Sequence, residues 1–301
     1  MYCWGDDMSD WARPSGYVFT GSSKARDVRK KAASASKKRG GRTYERRAKP
    51  NFALADPKQP IASQSANPIV VAVDVTGSMS HWPAEIFDRL PLLYQTLSQY
   101  RDDVEVSFVA IGDATCDRYP LQVTDFAKGL ELEDKLAALY GEGGGGGGAR
   151  ESYELFAYYL LNRASAPQAS RPYLLLYGDE GFYERVDPKQ VKHYLGLDAQ
   201  GPIDSYEIWS AVAEAWNVFH LRKPYGSPSH DREIQSQWEG VLGSERIVRL
   251  DDEHRAVDLA LGLIARSWGH YDDFQTNMAA RQNDAAVKAL DARLDEVEAL
   301  S

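Results

Sequence analysis

Cysteine is nearly absent from this chain. There are two in 301 residues, Cys3 and Cys116, far apart and in no CxxC or Cys/His spacing. A disulfide framework and a structural zinc site of the usual spacing are therefore excluded, and a reducing, cytoplasmic setting is expected. Nor does any stretch approach the roughly 18 to 20 uninterrupted apolar residues that a membrane-spanning helix needs. The opening Met1-Tyr2-Cys3-Trp4-Gly5-Asp6-Asp7 has neither a basic n-region nor an apolar h-region, so export by the usual signal is not expected. What is present, 43% hydrophobic and 26% charged residues, suits one α/β domain of about 200 residues with extensions.

Charge is distributed unevenly. Between Lys24 and Lys49 twelve Lys and Arg face only Asp27 and Glu45, a surplus of +10 that leaves −19 for the remainder of a chain whose total is −9. A basic arm thus precedes an acidic body. Residues 1–66 show no sustained hydrophobic period and carry Gly40-Gly41, Pro50, Pro57 and Pro60, so little packed structure is expected there. A short helix over 25–35 and docking of Trp4, Trp11, Tyr17 and Phe19 on the body are compatible with the pattern. Residues 24–49 suit phosphate neutralisation, which makes nucleic acid one candidate partner and the chain's own acidic body the other. Apart from Tyr44 the arm lacks the interleaved aromatics of a stacking surface.

From residue 67 the pattern changes. Pro68-Ile69-Val70-Val71-Ala72-Val73-Asp74 is a continuous run of the kind found in a strand covered on both faces. A helix from Pro83 to about Tyr100 and a strand over 104–111 follow, and Leu121-Gln122-Val123 is short enough for an antiparallel edge strand. Helices are expected over 125–139, 150–163, 188–195, 205–216, 232–242 and 255–268, with strands over 173–177, 218–221 and 246–250. The alternation predicts a doubly wound, mostly parallel α/β sheet of Rossmann-like type with one antiparallel edge strand, spanning 67–270. Residues 271–301, with Leu290, Leu294, Val297 and Leu300, read as one amphipathic helix outside the sheet.

Following the chain up and down this sheet brings three loops, 74–80, 140–150 and 178–182, to the carboxyl ends of the strands, where doubly wound sheets bind ligands. Asp74 ends the first strand, Thr76 and Ser78 add hydroxyls two and four residues on, and Asp179 ends a later strand. Two carboxylates and two hydroxyls, without sulfur or imidazole, form an oxygen-rich shell suited to magnesium first, or to manganese or calcium, rather than to zinc.

Asp74-Val75-Thr76-Gly77-Ser78-Met79-Ser80 after an Ile-Val-Val-Ala-Val strand resembles the metal-ion-dependent adhesion site of von Willebrand factor A (VWA) domains, in their intracellular bacterial form. Strand and helix order extends the resemblance over about residues 67–270, while motif-level identity is limited to the three loops. The resemblance implies Asp74, Thr76 and Ser78 as first-loop metal ligands and Asp179 as the third-loop aspartate, although Glu180 intervenes before Gly181. The second-loop threonine of the family has no counterpart. Ser152 is the choice there, with Glu151 or a water as alternatives.

Other features admit plainer readings. The glycines 143–148 lack the Gly-Lys-Ser/Thr ending of a phosphate-binding P-loop, so a mobile loop on the metal face, free to approach a ligand, is expected instead. Asp113 and Asp117 read as turn residues that also shape the rim, and His81 as a solvated residue at a helix start. Trp209, Trp216, Trp238 and Trp268 fall on helices and suit packing.

A non-enzymatic module follows from the resemblance: a cation with an open position accepts an acidic side chain from a partner protein. Members of the family often work beside AAA+ ATPases of the MoxR or magnesium-chelatase kind, so such an ATPase is an expected partner. A phosphatase of the haloacid dehalogenase class also places an aspartate after its first strand. That chemistry needs a second carboxylate two residues on, where this chain has Thr76. The third reading is a nucleic-acid-associated assembly factor contacting its ligand through the arm.

Overall fold

The computed structural model describes residues 49–79, 81–146 and 148–297. The basic arm up to residue 48, with the helix and aromatic cluster expected in it, lies outside the described residues.

Six strands form the main sheet: β1 Pro68–Asp74, β2 Glu105–Ile111, β3 Leu121–Val123, β4 Tyr173–Gly178, β5 Asn217–Arg222 and β6 Ile247–Arg249. Their order across the sheet is β6-β5-β4-β1-β2-β3, with every neighbouring pair parallel except β2 and β3. The sheet is therefore the expected doubly wound one. Strand β1 is central because all seven of its residues are buried, alternating between two cores. Ile69, Val71 and Val73 face one, Val70 and Ala72 the other.

Helices α1 (Trp82–Tyr100), α2 (Glu131–Ala138), α6 (Ala256–Ser267), α7 (Tyr271–Arg281) and α8 (Asp284–Asp295) bury their apolar stripes in the first core. Helices α3 (Tyr153–Arg163), α4 (Ser205–Ala215) and α5 (Pro228–Leu242) cover the second, where Trp209, Trp216 and Trp238 are buried as expected. Trp268 is partly buried against the first core. No helix among the described residues is long and apolar enough to cross a membrane.

Three expectations need correction. Residues 49–66 are packed: Ala55 and Ile61 are buried, Ile61-Ala62 pairs in parallel with Ala164-Ser165, and Ser65 bonds to Asp103. These are contacts to distant residues, which no local period announces. The helix expected over 125–139 starts only at Glu131, because Ala127 exchanges backbone hydrogen bonds with Val106 on β2 and the chain then turns at Gly129, φ +58°. The terminal segment is two helices rather than one. Gln282 leaves the helical region and the side chain of Asn283 accepts from the Ala286 N–H, capping α8. Phe274 and Leu294 then close onto α6 at Gly262, where a Cβ would lie 2.4 Å from a Leu294 methyl.

Candidate metal centre

Strand β1 delivers Asp74 to the carboxyl end of the sheet at the point where the chain order reverses. Its carboxylate is fully buried. Oδ1 accepts from the Thr76 N–H at 2.8 Å and the Thr76 hydroxyl at 2.6 Å, and Oδ2 accepts from the Tyr153 hydroxyl at 2.6 Å. The Thr76 and Ser78 hydroxyl oxygens are 3.2 Å apart, and Ser78 donates onward to Asp179 Oδ1 at 2.7 Å. First and third loops are thus joined through the residues expected to share a cation. Gly178 is part of this arrangement, because a Cβ there would stand 1.9 Å from the Tyr153 hydroxyl.

The second loop reaches the site differently from the expectation. Arg150-Glu151 pairs in parallel with Gly181-Phe182, and successive side chains after a strand turn to opposite sides. The Ser152 hydroxyl oxygen accepts from the Ala114 N–H at 2.8 Å, and its own N–H donates to Gly112 O, so Ser152 braces the 112–117 loop. Glu151 is the second-loop residue beside the first loop. A Cβ on Gly145 would lie 3.2 Å from Glu151 Oε1 and 3.6 Å from Thr76 Cβ. Glu151 Oε2 and Glu180 Oε2 are buried without a donor from the rest of the protein, and the two side chains interact with each other, so a shared proton or a cation would satisfy both.

The electrostatics agree. Burial, then the charge of Asp179, pushes Asp74 up to about 7. Burial, then Asp74 and Glu180, pushes Glu151 up to about 11. Glu180 is pushed up to about 7 by burial foremost, reinforced by Asp74 and Asp179. Asp74 raises both glutamates and Asp179 raises Asp74 and Glu180, whereas Glu151, which holds its proton, lowers Glu180 by hydrogen bonding to it. One cation faces them: Lys223, immediately after β5, donates from Nζ to Asp179 Oδ2 at 2.7 Å and to the Ser78 carbonyl at 2.6 Å.

This donor set fits a hard divalent ion. It is all oxygen, rich in carboxylate, and includes two buried oxygens without a donor from the rest of the protein. The four carboxylates do not themselves form a contracted shell. Among the described residues the group of His, Cys, Asp or Glu ligand atoms lying within 4.8 Å of one another is Asp252, Glu253 and His254. Its side chains are already engaged by other groups, Glu253 with His81 at 2.9 Å, His254 with Glu85 at 3.2 Å and Asp252 with Arg255 at 3.9 Å. It is the weaker candidate for that reason. His81 itself is exposed at the helix start, as expected, with its Nε2 2.9 Å from Glu253 Oε1.

The described glycines pack closely on the first loop. Gly77 N–H donates to Gly144 O, Gly143 N–H donates to Val75 O, and Gly145 N–H donates to Asp117 Oδ1. What the glycines approach is the chain itself. Asp113 and Asp117 take turn hydrogen bonds from Thr115 and from the Asp113 N–H, and Asp113 also accepts from the Tyr183 hydroxyl. Sequence reasoning missed Tyr153 and Lys223. For Lys223 a signal existed, since a charged residue at the carboxyl end of a parallel strand falls on the site's own face.

No protein-family model matches the chain, and no curated protein matches it. Solved structures of similar shape include the proximal thread matrix protein 1 of the mussel byssus, with TM-score 0.47 and 10% identity over 70% of this chain and 49% of that one. Another is the pilus adhesin SpaC of Lactobacillus rhamnosus GG, with TM-score 0.47 and 13% identity over 70% of this chain and 31% of that one. This chain therefore spans half or less of either protein.

Proposed function

We propose that this chain is a metal-dependent protein-interaction module of the VWA kind. Asp74, Thr76, Ser78 and Asp179 would hold a divalent cation, magnesium or manganese before calcium, with Glu151 taking the second-loop position in place of Ser152. The observation that carries the reading is the concentration of four buried carboxylates, Asp74, Glu151, Asp179 and Glu180, around two hydroxyls at the switch point of the sheet. Such a group is stable only when protonated or when a cation offsets its charge. A bound ion would supply positive charge with an open coordination position, suited to an acidic side chain from a partner protein. Partnership with an AAA+ ATPase rests on the resemblance alone.

The chain's own residues prepare the site. Tyr153 and the Thr76 N–H orient the Asp74 carboxylate, and Ser78 holds Asp179 against the first loop. The phosphatase alternative is poorly supported: Thr76, where a general acid/base would stand, spends its hydroxyl on Asp74 Oδ1. Calorimetric titration with Mn2+ tests the proposal. Wild type should bind one ion, and Asp74→Asn should weaken it by on the order of 100-fold or more. Equal affinity in the variant, or Mg2+-dependent turnover of a phosphate ester that Asp74→Asn abolishes, overturns it.

A further inference from the structure

Both Asp179 oxygens are already engaged by donors on the first loop and on the strand beside it. Oδ1 accepts from Ser78 Oγ and Oδ2 from Lys223 Nζ, each at 2.7 Å. The ammonium group also donates to the Ser78 carbonyl oxygen and lies 5.8 Å from the centre of the Trp82 ring. Its position is fixed by the sheet. The Lys223 N–H donates to Gly178 O at 2.9 Å, extending the ladder in which Arg222 pairs with Gly178, so the lysine stands beside the residue that follows β4. The preceding Arg222 is occupied elsewhere, donating to Asp231 and Gln235. Of the two cations in sequence, one is used to anchor α5 and the other is aimed into the acidic face.

We infer that Lys223 is a tethered counter-cation of this site: it clamps the third loop to the first through Asp179 and Ser78, and it competes with a divalent ion for Asp179. The inference rests on the metal-binding reading above and adds to it the residue that sets the site's affinity. An ion that takes Asp179 brings two positive charges close to a third, and the like charges repel. That repulsion drives the lysine off Oδ2. With 21% of its side chain exposed and the face of Trp82 at hand, it has solvent and an aromatic surface to move to.

Two measurements on the full chain test this. In calorimetric titration with Mn2+, Lys223→Met should bind at least about tenfold more tightly than wild type, because a repelling charge is gone and an Asp179 oxygen is released. In wild type, amine acetylation followed by mass spectrometry should show Lys223 reacting several-fold faster once Mn2+ is added, with exposed Lys192 as the internal reference. Labelling decides alone if the variant does not fold. Equal Mn2+ affinity in wild type and Lys223→Met, or binding that leaves Lys223 labelling unchanged or slower, overturns the competition while leaving the metal site standing. Absence of Mn2+ binding in both proteins overturns the metal reading and this inference with it.

Discussion

Asp258 and Glu151 are both buried carboxylates in the same domain, and their surroundings are opposite. Asp258, on α6, is raised by burial, but it has Arg255 at 3.0 Å and Gln282 at 3.2 Å, and Arg255, Arg89 and Arg281 all pull it back toward the charged form. Glu151 is surrounded by Asp74, Glu180 and Asp113, each of which disfavours its charge further. The first is a structural acid with its counter-charge built into the chain. The second is completed only by a proton or by an external cation, the latter being what the proposed metal centre would supply.

The comparison breaks most readily at Asp258. Asp258→Asn should cost about 3 kcal/mol in urea unfolding, because it strips the charge that offsets the arginines. Glu151→Gln should leave the metal-free protein within about 0.5 kcal/mol of wild type at neutral pH, since a group pushed up to about 11 is already protonated there. Similar losses in both variants would erase the distinction.

A pH series sharpens it. Asp74 and Glu180 are pushed up to about 7 when folded, well above the ordinary carboxylate range of the unfolded chain. The folded protein therefore keeps these protons longer than the unfolded one. Their contribution to stability is fully present below the unfolded carboxylate range and is lost as pH rises through about 7. The metal-free melting temperature should fall by several degrees, on the order of 5 °C, between pH 5 and pH 8. Saturating Mn2+ and Glu180→Gln should each reduce that fall, and a fall indifferent to both would place its origin elsewhere.

A last pair of variants concerns the glycine loop. Gly144→Ala would put a Cβ 1.9 Å from Asp117 Oδ1 and should destabilise by about 1 to 3 kcal/mol. Gly148→Ala, whose nearest neighbour is Arg150 N at 4.0 Å, should stay within about 0.5 kcal/mol. Equal tolerance in chemical denaturation would mean that the glycine loop does not pack on Asp117 as described.

Those parts of the site carried by strand ends were legible in the sequence. Asp74 closes a β-branched run and Asp179 follows the apolar run Tyr173 to Tyr177, so direction counting alone put them on one face. Residues placed by pairing between distant segments were not. Whether Glu151 or Ser152 turns inward depends on Arg150-Glu151 lying parallel to Gly181-Phe182, a register set thirty-one residues away. Lys223 depends on β5 extending one hydrogen bond past its last strand residue. The same holds for 49–66, whose order comes from Asp103 and Ser165 rather than from any period of its own. The break between α7 and α8 was readable in principle, because Asn283 is a capping residue type three positions before Ala286.

Crystals soaked in Mn2+, with an anomalous difference map, bear most directly on the central claim. The account predicts a peak bounded by Asp74, Ser78, Glu151 and Asp179, with Lys223 withdrawn from Asp179. A peak only at Asp252, Glu253 and His254, or an undisturbed Lys223–Asp179 pair with no peak on that face at saturating Mn2+, contradicts it.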